Sequence, residues 1–155
     1  MNIEVPGYTT LELNYLLLDY NGTIALDGHI SESVKNLIRE LAKNIDVFVL
    51  TADTHGTASK ECADLPVTLK TFPTDSAMHS KLEILQSLNK GYCCAIGNGR
   101  NDVLMCANAA LSICVMGEEG CCSKLIEHSQ VTVKSIENAF ELLLKPKRLI
   151  ATLRG

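Results

Sequence analysis

The chain has 155 residues, 46% of them hydrophobic and 21% charged, with 14 Lys plus Arg against 18 Asp plus Glu. That composition excludes a disordered chain, a coiled coil and a collagen-like fibre. The length suits one domain over residues 1–155, burying about two thirds of its unfolded surface. A formal charge of -4 lacks the footprint of a nucleic-acid binder. No stretch reaches the roughly 18 apolar residues of a membrane span, and MNIEVPGYTT has no basic and apolar leader pattern. A cytoplasmic protein without nucleic-acid or membrane partners is therefore expected.

Short apolar runs alternate with helical periodicity along the chain. Strands are predicted at Tyr15–Leu18 ending at Asp19, at Asp46–Leu50 ending at Thr51, at Val67–Leu69, at Tyr92–Ile96 ending at Gly97, at Leu111–Val115 and at Val131–Val133. The continuous apolar character of several of these fits strands covered on both faces. Between them, Ser31 can cap a helix that places Val34, Leu37, Ile38 and Leu41 on one face. Further helices are predicted over Thr54–Asp64, over 75–89 with a Met78, Leu82, Leu85 and Leu88 stripe, and over Asn101–Ala107. Ser135 can cap a last long helix carrying Ile136, Ala139, Phe140 and Leu143. Lys145-Pro-Lys-Arg148 interrupts it, and the basic stretch to Arg154 reads as the solvated face of a final helix. Ile24–Leu26, Asp27-Gly28 and His29-Ile30 read as a short hairpin overhanging the mouth of the first strand.

Strands alternating with helices imply a mostly parallel α/β sheet, in which ligands bind beyond the carboxyl ends of the strands. Seven cysteines, an odd number without a CxxC pair, argue against a disulfide framework. Cys93, Cys94 and Cys114 sit in apolar runs and read as core residues. Cys121-Cys122 lacks a visible third ligand for a soft metal.

Four features fall at the carboxyl edge: Asp19-Tyr-Asn21-Gly22-Thr23, Thr51-Ala52-Asp53, Lys81, and Gly97-Asn98-Gly-Arg100-Asn-Asp102. Singly, each has a structural explanation as turn or cap chemistry. Together, over about residues 11–144, they resemble the haloacid dehalogenase superfamily, and most nearly the phosphorylation domain of P-type ATPases. The resemblance implies a three-layer Rossmann-like fold with a flap hairpin. The 27 residues between Thr23 and Thr51, and the 29 between Thr51 and Lys81, leave no room for a cap domain. It also implies that Asp19 takes a phosphoryl group and that Thr51 and Lys81 hold phosphate oxygens. Gly22, Thr23, Ala52 and Arg100 would contact substrate. Mg²⁺ would be held by Asp19, the Asn21 carbonyl and Asp102, with Asn98 assisting.

Two positions depart from the superfamily's phosphatases, where Asn21 and Asn98 would be acids. An amide neither protonates a leaving group nor activates water at neutral pH, and losing general acid–base catalysis costs about 10²–10⁴ in rate. Slow turnover or a long-lived aspartyl-phosphate is expected. The alternative is a catalytically weak module that binds Mg²⁺ and phosphate. A receiver domain is disfavoured by motif order. Both asparagines precede glycine, a pairing prone to deamidation that would restore an acid. An uncapped site suits a large phosphorylated substrate, or cover by a neighbouring subunit in a homo-oligomer such as a tetramer. His29 and His55 are secondary candidates for substrate contact.

Overall fold

The computed structural model describes residues 1–53 and 56–155. Two short strands come first, β1 (Asn2–Val5) and β2 (Thr9–Glu12), paired antiparallel around a turn in which Gly7 has φ +74°. Alternation buries Ile3, Val5 and Leu11 and exposes Asn2 and Glu4. This hairpin was not anticipated: two strands of four residues carry too few alternating positions to stand out.

The main sheet follows. Its strands are β3 (Tyr15–Asp19), β4 (Asp46–Thr51), β5 (Val67–Thr71), β6 (Cys93–Gly97), β7 (Leu111–Val115) and β8 (Val131–Val133). All pair in parallel, in the order β5-β4-β3-β6-β7-β8. The expected strands are present, with boundaries moved by a residue or two. Tyr92 instead closes a 3₁₀ turn over Lys90–Tyr92.

Each central strand feeds both faces with period two. Leu16 and Leu18 of β3, Cys94 and Ile96 of β6, and Ile113 of β7 join the core beneath α1 (Glu32–Leu41), α2 (Ala58–Cys62) and α6 (Ile136–Leu144). Leu17, Cys93, Ala95 and Cys114 join the core beneath α3 (Ala77–Ser87), α4 (Val103–Asn108) and α5 (Ser123–Glu127). The result is a three-layer α/β fold without a cap domain. Ser31 and Ser135 cap α1 and α6 as predicted, their hydroxyls accepting from Val34 N–H and Asn138 N–H. The last helix, α7 (Pro146–Leu153), has Pro at its first turn, buries Leu149 and packs on β1.

Three local expectations change. The second predicted helix shortens to α2, and its expected start at Thr54 lies outside the described residues. The hairpin over Ile24–Ile30 is a pair of bridged turns, with Leu26 opposite His29 and Asn21 bridged to Ala25, rather than two strands. In α3 the buried face is Ala77, Lys81 and Leu85, one residue out of phase with Met78 and Leu82. Lys81 occupies a core position, which weakens the apolar stripe that periodicity would otherwise show. Asn89, at φ +63°, follows α3 in the left-handed region.

Candidate active site

The chain order turns back at β3. From there it runs outward to β4 and β5, then returns to β6 beside β3 and continues to β8. Parallel strands that diverge in this way open a crevice beyond their carboxyl ends. Asp19 ends β3, Thr51 ends β4 and Gly97 ends β6, so three of the four motifs meet there by topology alone. The fourth, Lys81, reaches in from the buried face of α3. Together with Asn21, Asn98 and Arg100 they line a cleft of about 430 Å³.

The centre of the cluster is charged and nearly sealed from solvent. Lys81 Nζ donates to Asp19 Oδ1 at 2.5 Å, to Asp102 Oδ1 at 2.6 Å and to Asn101 Oδ1 at 3.3 Å. Its side chain is only 1% exposed. Burial alone would lower the lysine's pKa, but the two carboxylates outweigh it and hold the ammonium above its usual range. The second oxygen of Asp19 accepts from Thr23 Oγ1 at 2.8 Å. Asp102 Oδ2 accepts from the backbone N–H groups of Asn98 and Gly99, at 3.1 and 2.9 Å. Burial, and then the charge of Asp19, push the Asp102 carboxyl upward against the pull of Lys81. Asp102 thus fastens the β6 loop to Lys81 and is itself completely buried.

Two glycines make this approach possible. A Cβ on Gly97 would lie 2.4 Å from Asp102 Cγ, so no side chain fits there. Gly22 has φ +76°, and a Cβ there would lie 2.3 Å from Asn98 Nδ2.

The remaining expected residues fall as follows. Thr51 Oγ1 accepts from Asp53 N–H at 2.8 Å, and Asp53, at φ +49°, accepts from Ala58 N–H to start α2. Ala52 and the exposed Arg100 lie on the cleft wall. Gly22 N–H donates to Ala25 O at 2.8 Å and Thr23 N–H to Tyr20 O at 3.3 Å, so both backbone donors are already engaged. Asn98 donates through Nδ2 to Gly120 O, while its own carbonyl accepts from Cys122 N–H. Asn21 Oδ1 is buried without a hydrogen-bond partner among the described residues. Deamidation at Asn-Gly requires the glycine nitrogen to attack the amide. Here Gly22 N–H is held by Ala25 O and Gly99 N–H by Asp102, which disfavours that attack.

Sequence reasoning did not reach the anchoring of the turns above the site. Tyr20 and Thr57 hydroxyls both donate to Gly28 O, at 2.8 and 2.6 Å. Glu61 on α2 accepts from Ile30 N–H at 3.0 Å and pairs with Lys35 and with His29, whose ring is 71% exposed. Closure of the Gly117–Gly120 turn on Asn98 was equally invisible, because nothing local marks a contact between residues 22 apart. His55 lies outside the described residues.

Among the described residues, no three His, Cys, Asp or Glu side chains converge as a metal site. No helix of the described residues is long and apolar enough to cross a membrane. The cysteines are free thiols, and all but Cys121 and Cys122 are buried.

No family model matches the chain. The uncharacterized protein MJ0073 of Methanocaldococcus jannaschii is 49% identical over 79 residues, spanning 48% of this chain and 85% of that protein. Among solved structures, the 3-deoxy-D-manno-octulosonate 8-phosphate phosphatase of Moraxella catarrhalis, in complex with magnesium, phosphate and KDO, superposes with a TM-score of 0.74. Its sequence identity is 15%, covering 92% of this chain and 94% of that one. The cobalt-bound deoxy-D-mannose-octulosonate 8-phosphate phosphatase of Haemophilus influenzae gives 0.72 at 13% identity, over 86% and 88% of the two chains. The chain belongs to one family with MJ0073 and has the capless fold of the haloacid dehalogenase superfamily.

Proposed function

We propose that the chain is a Mg²⁺-dependent phosphohydrolase or phosphotransferase working through an aspartyl-phosphate on Asp19. One observation carries the reading: Asp19 lies on the cleft wall with one carboxylate oxygen against Lys81 and the other against Thr23. The metal and phosphate named in the complex of the Moraxella phosphatase support it by analogy of fold.

A carboxylate attacking phosphorus must overcome repulsion between anions. Lys81 and the Thr51 hydroxyl would hold phosphoryl oxygens and neutralise the developing charge. Arg100 would draw the anion to the cleft, Ala52 would support it from the wall, Gly22 would let Asn98 close up beside the substrate for want of a side chain, and the Thr23 hydroxyl would orient Asp19. The donor set for a cation is all oxygen: Asp19, the Asn21 carbonyl and Asn98, with Asp102 holding the loop beneath. That set fits Mg²⁺, which favours oxygen and keeps several waters. Two carboxylates against one ammonium leave the cluster one net negative charge for a dication to neutralise. When bound, Mg²⁺ would polarise the phosphoryl oxygens.

Turnover would be slow because Asn21 stands in the acid–base position. The open cleft would accept a large phosphorylated substrate, or be covered by another copy of the chain in a homo-oligomer. The second reading is a module that binds Mg²⁺ and phosphate without turnover, and the amides at 21 and 98 favour it. Mg²⁺-dependent hydrolysis of an aryl phosphate, run beside Asp19→Asn and Asn21→Asp, separates the two. The proposal requires an active parent, a dead Asp19→Asn and a faster Asn21→Asp. No turnover in either the parent or Asn21→Asp would favour the binding module.

A further inference from the structure

A phosphate ester breaks with the electron pair of the P–O bond going to the departing oxygen. A departing alkoxide is strongly basic and needs a proton as it leaves; a departing carboxylate needs none. The described cleft wall has no group placed to give that proton. Its ionisable members are Asp19, Lys81 and Arg100. Asp19 is the nucleophile. Lys81 is 1% exposed, with its protons directed at Asp19, Asp102 and Asn101. A guanidinium does not release its protons in proteins.

The nearby acids lie off that wall. Asp102 is completely buried, with both oxygens occupied. Glu119 borders a separate cavity of about 310 Å³, its carboxylate beside Gly22 and outside the lining of the Asp19 cleft, and it is the acid that the test below must exclude. His29 pairs with Glu61. Asn21, two residues after Asp19, is an amide, and the engaged nitrogen of Gly22 disfavours its deamidation.

We infer that the site selects phosphoryl donors whose departing group is already a stable anion, acyl phosphates foremost, over alkyl and sugar phosphates. The inference rests on the aspartyl-phosphate reading of Asp19. In the step, a carboxylate oxygen of Asp19 bonds to phosphorus and the bond from phosphorus to the acyl oxygen breaks. That oxygen keeps the electron pair and leaves as a carboxylate. No proton moves. One acyl phosphate is exchanged for another, so the step is close to balanced in energy as well as in atoms.

The test uses the full chain with Mg²⁺ and a series of donors: acetyl phosphate, nitrophenyl phosphate, phenyl phosphate and a sugar phosphate. Phosphoryl transfer to the protein is followed for the parent, Asp19→Asn, Asn21→Asp, His55→Gln and Glu119→Gln. In the parent the rate should fall steeply as the leaving group becomes more basic, with acetyl phosphate fastest. Asn21→Asp should raise the sugar phosphate by about 10²–10⁴-fold and acetyl phosphate by about tenfold or less. His55→Gln and Glu119→Gln should leave the series unchanged. Parent rates equal for acetyl and sugar phosphates would overturn the inference while Asp19 labelling survives. So would a selective loss of sugar phosphate transfer in His55→Gln or Glu119→Gln. If no donor labels Asp19 at all, the aspartyl-phosphate reading itself fails.

Discussion

Where Lys81 meets Asp19 and Asp102, every charge has a counterpart within 2.6 Å and solvent is almost excluded. Where Asn21 and Asn98 stand, a few residues away along the same strand ends, the side chains are neutral amides, partly exposed. One of their acceptors has no partner among the described residues. The first region is a rigid electrostatic anchor. Its carboxylates and ammonium stabilise one another, and removing the ammonium leaves two buried carboxylates uncompensated. The second region has the polar character of an active site without the proton-transfer groups. Under the proposed function, the first region would hold a phosphoryl group, and the second would lack the groups that hasten its transfer to water.

Breaking the anchor should have the largest effect. Lys81→Met leaves two buried carboxylates facing each other and should cost about 3–5 kcal/mol in denaturant unfolding. Adding Asp102→Asn should restore part of that loss without restoring activity. If the single variant is as stable as the parent, the charged cluster is not the anchor described. Gly97→Ala comes next. Its Cβ would overlap Asp102 at 2.4 Å, displacing the loop that carries Asn98, at about 1–3 kcal/mol. An unchanged melting temperature would show that the loop is free to move.

The amide side is sharpened by pH and by the turns above it. Glu61 ties residues 29 and 30 to α2. Its pKa is lowered from 4.5 by the Ile30 N–H, with Lys35 and His29 adding to the pull. A depressed carboxylate stabilises fully above its ordinary value and loses that contribution as pH falls through the lowered one. Glu61→Gln should therefore lower stability by about 1 kcal/mol at pH 7 and by progressively less on acidification below about 4. A pH-independent difference would contradict this. The smallest effect concerns the thiols. Burial pushes Cys62 and Cys93 up to about 11, so at pH 7–8 alkylation should reach Cys121 and Cys122 first, as peptide mass mapping would show.

The centre of the sheet was legible because β3, β4 and β6 are continuous apolar runs, the first two ending at the polar Asp19 and Thr51. Asp19, Thr51 and Gly97 could be placed at one edge from strand order alone. Lys81 was legible as chemistry but not as structure. A lysine on the inner face of α3 shifts the apolar stripe, and only the partners Asp19 and Asp102 explain its burial. Asp102 was legible as a site carboxylate, but its bonds to Lys81 and to two backbone N–H groups were not, because they depend on the turn formed around Gly97. The tether from Tyr20, Thr57 and Glu61 to residues 28–30 spans up to 32 positions, beyond any local pattern. The β1–β2 hairpin lacked the length to declare itself.

The most direct test of the account is to trap the intermediate. The chain is mixed with acetyl phosphate and Mg²⁺, quenched in acid and analysed by peptide mass spectrometry with and without hydroxylamine. The account predicts one hydroxylamine-labile phosphoryl group on the peptide containing Asp19, lost in Asp19→Asn and shorter-lived in Asn21→Asp. A phosphoryl group on any other residue, or none on Asp19 in either the parent or Asn21→Asp, would contradict it.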